Sequence, residues 1–384
     1  MITKDDVIKV ISDLVRIESI NSWLIPDGSG EKEVQTYIKD YLNKLGISAQ
    51  FETIDETHAN LVATVKGTGG GKNITLYAHA DTVGCELWAD RALIPKVQGD
   101  ILTGLGASDD KGMCAAIMLA VKELKDRGVM LSGDIHLCFI SDEEGASCGA
   151  MDYVKKHEPE AALVLESAPL EHICVSHQGF GWLKITTKGK AGHGSAGATS
   201  SDAIYHMAEV LVRLQRIQRE KFAENIHPMN GETVYHTGTI HGGTDFASYP
   251  EDCVLGIEIG TQPGETIQNR IDEIEAIFEE IKEFCPTFDG HVEAVIARDP
   301  FQAAGHEELY AILADSIERH HGKQAKAVGE NSWGDSQLFQ DAGFPTLGIG
   351  SLGGNFHSPE EWISISEMQT LIKVLADVIE KYCK

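Results

Sequence analysis

Apolar positions recur every three or four residues at the start of the chain. After Thr3 the residues Val7, Val10, Ile11, Leu14 and Val15 share one helical face, with Asp5 and Asp6 in the first turn, so an amphipathic helix is expected from Thr3 to Ile20. The same spacing returns in GEKEVQTYIKDYLNKLG and stops at Gly46. The pattern then changes to strand-like runs: AQFETI and NLVATVKG read as two strands joined by a turn, and the glycine-rich GTGGGK leads into the apolar strand NITLYAHAD. MCAAIMLAVKELKDRG is a helix, GDIHLCFISDEE a strand, GAMDYVKKH a helix and AALVLES a strand. This alternation predicts an α/β layer with a mixed, largely parallel sheet.

Near residue 178 the texture changes. GWLKITTKGKAGH alternates as a strand, Ser201 to Arg219 is a helix, ETVYHTGTIHGG and CVLGIEIG are strands, and ETIQNRIDEIEAIFEEIKEFC and GHVEAVIA give a helix and a strand. That order is a split β-α-β unit, an α+β domain in its own right. After Arg298 the first texture returns, with a helix from Glu307 to His320, the strand PTLGIG and a last helix starting near Glu367. The expected organisation is a discontinuous larger domain, residues 1–177 and 299–384, interrupted by an inserted domain at 178–298.

A chain of 384 residues is long enough for two cores. The 32 basic residues against 59 acidic ones, a formal charge of −27, repel nucleic acid and anionic membranes, so neither is an expected partner. The opening MITKDDVIKV has acids where a signal peptide needs a basic and then an apolar run, and no apolar stretch approaches the roughly 18 residues of a membrane span. A cytoplasmic location is the expectation. The eight cysteines form no C-x-x-C pair and read as reduced thiols of the core.

The chemistry gathers at strand ends. His79 and Asp81 share a face at the end of NITLYAHAD, GLGASDDKG delivers Asp109 and Asp110 to a helix start, FISDEEG ends a strand with Asp142, Glu143 and Glu144, LVLESA ends another with Glu166, and GGNFHSPEEW places His357 after PTLGIG. Each alone suits a hydrogen-bonded pair, a helix terminus or a solvated loop. Together they bring carboxylates and imidazoles to the carboxyl ends of strands, where ligands of open α/β sheets bind. Oxygen and imidazole donors without thiolate suit zinc, cobalt or manganese.

The ordered set HADT, GASDDKG, DEEG, LES, KAGHGS and NFHSPEEW resembles the co-catalytic zinc metallopeptidase family that includes acetylornithine deacetylase, succinyl-diaminopimelate desuccinylase, aminoacylase and glutamate carboxypeptidase. The resemblance runs from the first helix to the last. It implies a zinc-peptidase-like catalytic domain with an inserted lid and dimerisation domain, and two divalent metal ions. His79 and Glu166 would hold one ion, Glu144 and His357 the other, and Asp109 would bridge both. Asp81 would orient His79, Glu143 would be the general base, and the bond from Asp109 to Asp110 would be cis. His193, in KAGHGS, would stabilise the oxyanion from the other subunit of a homodimer.

The implied reaction is hydrolysis of the amide bond of an N-acyl amino acid or a short peptide, through a metal-bridging hydroxide activated by Glu143. Charge supports it: two divalent ions bring four positive charges, Asp109, Glu144 and Glu166 bring three negative ones, and a hydroxide closes the balance. A dipeptidase or carboxypeptidase is the alternative to a deacylase, and a catalytically silent binding relative is the alternative from outside the enzymes. The chain departs from the family at two substrate contacts: GGTDFASYP has Ala247 where an Asn is usual, and Gly260 stands where an Arg is usual. Arg298 and Lys190 are candidate substitutes or ordinary surface residues; Asp335, beside Trp333, would orient a ligand or fix its loop, and His320 and His321 read as residues at a helix end that are solvated or complement the helix dipole.

Overall fold

The computed structural model describes residues 1–158 and 160–384. Along the chain come α1 (Lys4–Val15), α2 (Lys32–Lys44), β1 (Ala49–Thr53), β2 (Ala59–Val65), β3 (Ile74–His79), α3 (Lys111–Asp126), β4 (Ile135–Ile140), α4 (Cys148–Lys156), β5 (Ala161–Leu165) and β6 (His172–His177). Then follow β7 (Gly179–Lys188), α5 (Ala203–Ile217), β8 (Tyr235–Gly242), β9 (Asp252–Thr261), α6 (Ile267–Phe284), β10 (Asp289–Arg298), α7 (Glu307–His321), β11 (Thr346–Ile349) and α8 (Ile365–Tyr382). Two compact units emerge: Met1–Val175 with Ala303–Ala327 and Leu338–Lys384, and Ser176–Gln302 with Val328–Gln337.

The first unit is built on a mixed sheet in the order β1, β2, β4, β3, β5, β11, β6. Its central strands β4, β3, β5 and β11 run parallel, and antiparallel strands flank them. All six residues of β3 are buried, Thr75 and His79 included, which explains why it shows no alternation: a strand covered on both faces does not alternate. Tyr77 packs with Cys138, Tyr153, Val164, Phe339 and Phe344 on one face. Helix α3 lies against β3 and between α1 and α8, so all of its first eleven residues are buried, including those on the side a surface helix would expose.

In the second unit β8, β9, β7 and β10 form an antiparallel sheet in that order, the arrangement of a split β-α-β unit. Leu183, Ile185, Leu255 and Ile257 pack with Val210 of α5 and with Ile274, Phe278 and Ile281 of α6. Edge strand β8 is exposed from His236 to Gly242. The fold is thus α/β with a second α+β unit, as its pattern predicts.

Some boundaries differ from the sequence reading. Helix α1 ends at Val15, not Ile20, because Ile20 leaves the helix to form a parallel bridge with Thr82. Its start is set by Thr3, whose side chain accepts the Asp6 N–H while Asp6 accepts from the Thr3 backbone. Helix α5 spans Ala203–Ile217 and continues as a wider turn over Gln218–Phe222. The strands His172–His177 and Lys326–Glu330 and the helix Ser336–Asp341 were not expected. The cysteines are all unpaired, six of them buried. Among the described residues no helix is long and apolar enough to cross a membrane.

Candidate metal centre

Parallel register brings the acids and imidazoles of the first unit together. Tyr77 lies opposite Val164, so two residues farther along, beyond the ladder, His79 and Glu166 reach the same level; His79 Nε2 stands 3.9 Å from Glu166 Oε1. Asp109 reaches the same place from the turn before α3, whose tight path uses Gly106 at φ +75°, and its bond to Asp110 is cis. The two oxygens of Asp109 face different imidazoles: Oδ1 is 3.1 Å from His79 Nε2 and Oδ2 is 3.2 Å from His357 Nε2. Glu144 Oε2 also lies 3.2 Å from His357 Nε2, and Glu143 Oε2 lies 4.0 Å from His79 Nε2. Residues Asp142 and His357 adopt positive φ, 65° and 57°, unusual for side chains of this size, so backbone strain is concentrated beside the cluster.

Behind these groups lies a layer of buried polar ties. His79 Nδ1 faces Asp81 Oδ1 at 3.3 Å. Asp81 accepts the Glu143 and Glu144 backbone N–H groups and, at 2.8 Å, the Asn21 amide. Asn21 reaches Asp142 Oδ1 at 3.0 Å and accepts from the Trp23 and Leu24 backbone. Asp110 accepts the His79 N–H, and the buried Lys111 ammonium donates to the Ile17 carbonyl at 2.6 Å. Glu361 accepts N–H groups of the turn that carries Asp109. No local sequence pattern marks Asn21 or Glu361; Glu361 lies inside NFHSPEEW, whose evident ligand is the histidine.

The electrostatics show a site short of positive charge. Hydrogen bonds to Asp109 and Glu144 push His357 up to about 11. Burial alone would lower His79, but its bonds to Asp109 and Asp81 outweigh burial and raise it well above its ordinary value. Burial and the Asp109 charge push Glu144 up to about 7. Burial also works to raise Asp109, yet bonds from both imidazoles hold it below the usual carboxylate range. The carboxylates thus draw positive charge onto the imidazoles, and divalent cations can supply that charge in their place. Among the described residues His79, Asp109 and Glu144 form one group of ligand atoms with metal-holding spacing, and His79, Asp110 and Glu166 another. The donor set fits a pair of divalent ions: carboxylate oxygens and imidazole nitrogens, with Asp109 placed to serve both.

The remaining sequence candidates lie elsewhere. His193 is exposed on the second unit, with its Nδ1 2.9 Å from Ser195 Oγ. A Cβ on Gly260 would stand 2.5 Å from the Gln178 amide oxygen, which itself accepts the Val234 N–H, so a side chain there would have to displace that amide. Ala247 is held through its backbone by Asp245 and Gly194. The Arg298 guanidinium stacks over Trp333 at 5.8 Å, and Asp335 is buried in the same unit; Lys190 bridges to Ser201 through its backbone. At the end of α7, His320 is exposed and faces Asp377 of α8 at 3.4 Å, and His321 faces Glu171, just before β6, at 3.3 Å.

A model of Peptidase family M20/M25/M40 matches residues 75–381. The chain is 24% identical to N-formyl-4-amino-5-aminomethyl-2-methylpyrimidine deformylase of Bacillus subtilis, over 99% of this chain and 95% of that protein. It is 26% identical to acetylornithine deacetylase of Vibrio cholerae, over 98% of each. Its fold is similar to that of a tripeptidase from Staphylococcus aureus, with a TM-score of 0.83, 20% identity, and coverage of 100% of this chain and 99% of that one.

Proposed function

From the premise that this chain belongs to Peptidase family M20/M25/M40, and is therefore a hydrolase of amide bonds, we propose how its residues divide the work. The family is dinuclear metal-binding. In our reading His79, Asp109 and Glu166 hold one divalent ion and Asp109, Glu144 and His357 the other. The observation that carries this is the Asp109 carboxylate, each oxygen of which faces a different imidazole. Zinc is the proposed ion, with cobalt or manganese able to replace it.

The ions, when bound, act as Lewis acids that lower the pKa of a water toward about 7. Glu143 takes the proton of the attacking water and returns it to the leaving amine nitrogen, so that water adds across the C–N bond. Its position supports the role: the backbone N–H of Glu143 is tied to Asp81, and its carboxylate faces the cluster beside His79. Asp81 holds His79 in orientation. His193 donates to the oxyanion that forms at the carbonyl.

We assign His193 to the site of a second copy in a homodimer formed through the lid domain, residues 178–298, inserted between catalytic segments 1–177 and 299–384. The exposed edge of β8 and the exposed Ile204, Tyr205 and Phe246 support a partner on this domain. The substrate class is an N-acyl amino acid or a short peptide, in keeping with relatives named for deacetylation, deformylation and tripeptide cleavage. The filled space at Gly260 favours a substrate held differently from one clamped by an arginine there. The proposed location is the cytoplasm. Hydrolysis across N-acetyl and N-succinyl amino acids, dipeptides and tripeptides, with added zinc or cobalt, tests the reading. Cleavage confined to acyl amino acids makes this a deacylase, cleavage confined to peptides a peptidase, and none with two ions bound sinks both.

A further inference from the structure

The turn carrying Asp109 and the loop carrying His357 are far apart in sequence and meet at one buried carboxylate. Glu361 is 1% exposed. Its Oε1 accepts the N–H groups of Ser108 at 2.8 Å and Asp109 at 3.1 Å, and its Oε2 accepts that of Gly106 at 3.2 Å. Its backbone carbonyl accepts the Gly104 N–H at 3.1 Å, and the following strand, Trp362–Ser364, pairs antiparallel with Ile101–Thr103. The loop comes in so closely that a Cβ on Gly353 would stand 1.8 Å from Ser108 Oγ. Three converging N–H donors suit an ionised carboxylate far better than a neutral group, and removing it would leave all three donors unsatisfied.

We infer that Glu361 is a positioning residue that sets the spacing of Asp109 against His357, and so governs the cation held by Asp109, Glu144 and His357 more than the one held by His79, Asp109 and Glu166. The asymmetry follows from the chain. Glu361 lies four residues from His357 and grips the backbone of Asp109 directly, whereas His79 and Glu166 are fixed at the ends of β3 and β5 in the central sheet.

The inference rests on the two-cation reading, and calorimetric titration of the metal-free protein with zinc separates the two. Wild type is expected to take up two ions. Glu361→Ala should bind the first within a few-fold of wild type and the second about 10- to 100-fold more weakly, as loss of a supporting partner does. Glu361→Gln should fall between them, because its amide oxygen can still accept from Ser108 and Asp109 while its NH2 group opposes the Gly106 donor. Titration with cobalt gives a second readout: the absorption of the second ion should change in the variants and that of the first should not. If Glu361→Ala does not fold, the glutamine variant decides. Wild-type affinity at both positions in the variants, or equal weakening of both with a lower melting temperature, overturns the inference. Fewer than two ions on wild type removes the two-cation reading itself.

Discussion

His79 and His193, the two imidazoles to which we assign different roles, are placed in two different ways. His79 ends a strand buried along its whole length; its side chain is 1% exposed and lies between Asp81 and Asp109. His193 sits in a two-residue strand paired to Ser248–Tyr249, exposed, with Ser195 Oγ near its ring. The first is fixed by core packing within one unit; the second sits on an exposed two-residue strand, where the hydroxyl and backbone N–H of Ser195 meet its Nδ1. A ligand set on sheet ends is preorganised by the fold, whereas an exposed donor depends on what it meets.

The comparison predicts unequal costs. Glu143→Ala, on the rigid side, should lower turnover about 10²- to 10⁴-fold while metal content stays at two ions, measured by kinetics alongside elemental analysis. His193→Ala should lower turnover about 10²- to 10³-fold with metal binding intact. Mixing it with Glu143→Ala should restore part of the activity, because one of the two sites in a mixed dimer would then have both groups. No recovery in verified mixed dimers would remove the shared site.

Protonation sharpens the rigid side further. Metal binding competes with protons on His79 and His357, both raised by their carboxylate partners, and below about pH 7 also with one on Glu144. Protons and cations compete, so zinc affinity should rise with pH, more steeply below 7 than above it. Calorimetry in buffers of different ionisation enthalpy counts the protons released; a pH-independent affinity would contradict the arrangement. The smallest expected effect is at the second unit's packed interior: Gly260→Arg should cost about 1–3 kcal/mol of stability, read as a lower melting temperature, because Gln178 occupies the space a side chain needs.

Much of this was legible from periodicity. Strand β3 is largely apolar and helix α3 carries the uninterrupted run MCAAIMLAV, and acids and histidines at strand ends stand out against such segments. The end of α1 is not legible in the spacing, because Ile17 and Ile20 continue the apolar pattern while Ile20 forms a bridge to Thr82, a tertiary contact. Asn21 and Glu361 were invisible for a related reason. Their importance lies in which backbone donors and carboxylates they meet across the fold, and no short motif records that. The obstruction at Gly260 likewise needs Gln178, a residue from a different strand border.

The most direct test of the central claim is amide hydrolysis by the zinc-loaded protein, wild type against Glu143→Ala, with ion content measured on both. The account predicts two ions on each protein, cleavage of an N-acyl amino acid or short peptide by the wild type, and turnover lower by at least about 10²-fold in the variant. Undiminished turnover in the variant would contradict the role of Glu143, and cleavage that persists after both ions are removed would contradict the metal centre as the seat of the reaction.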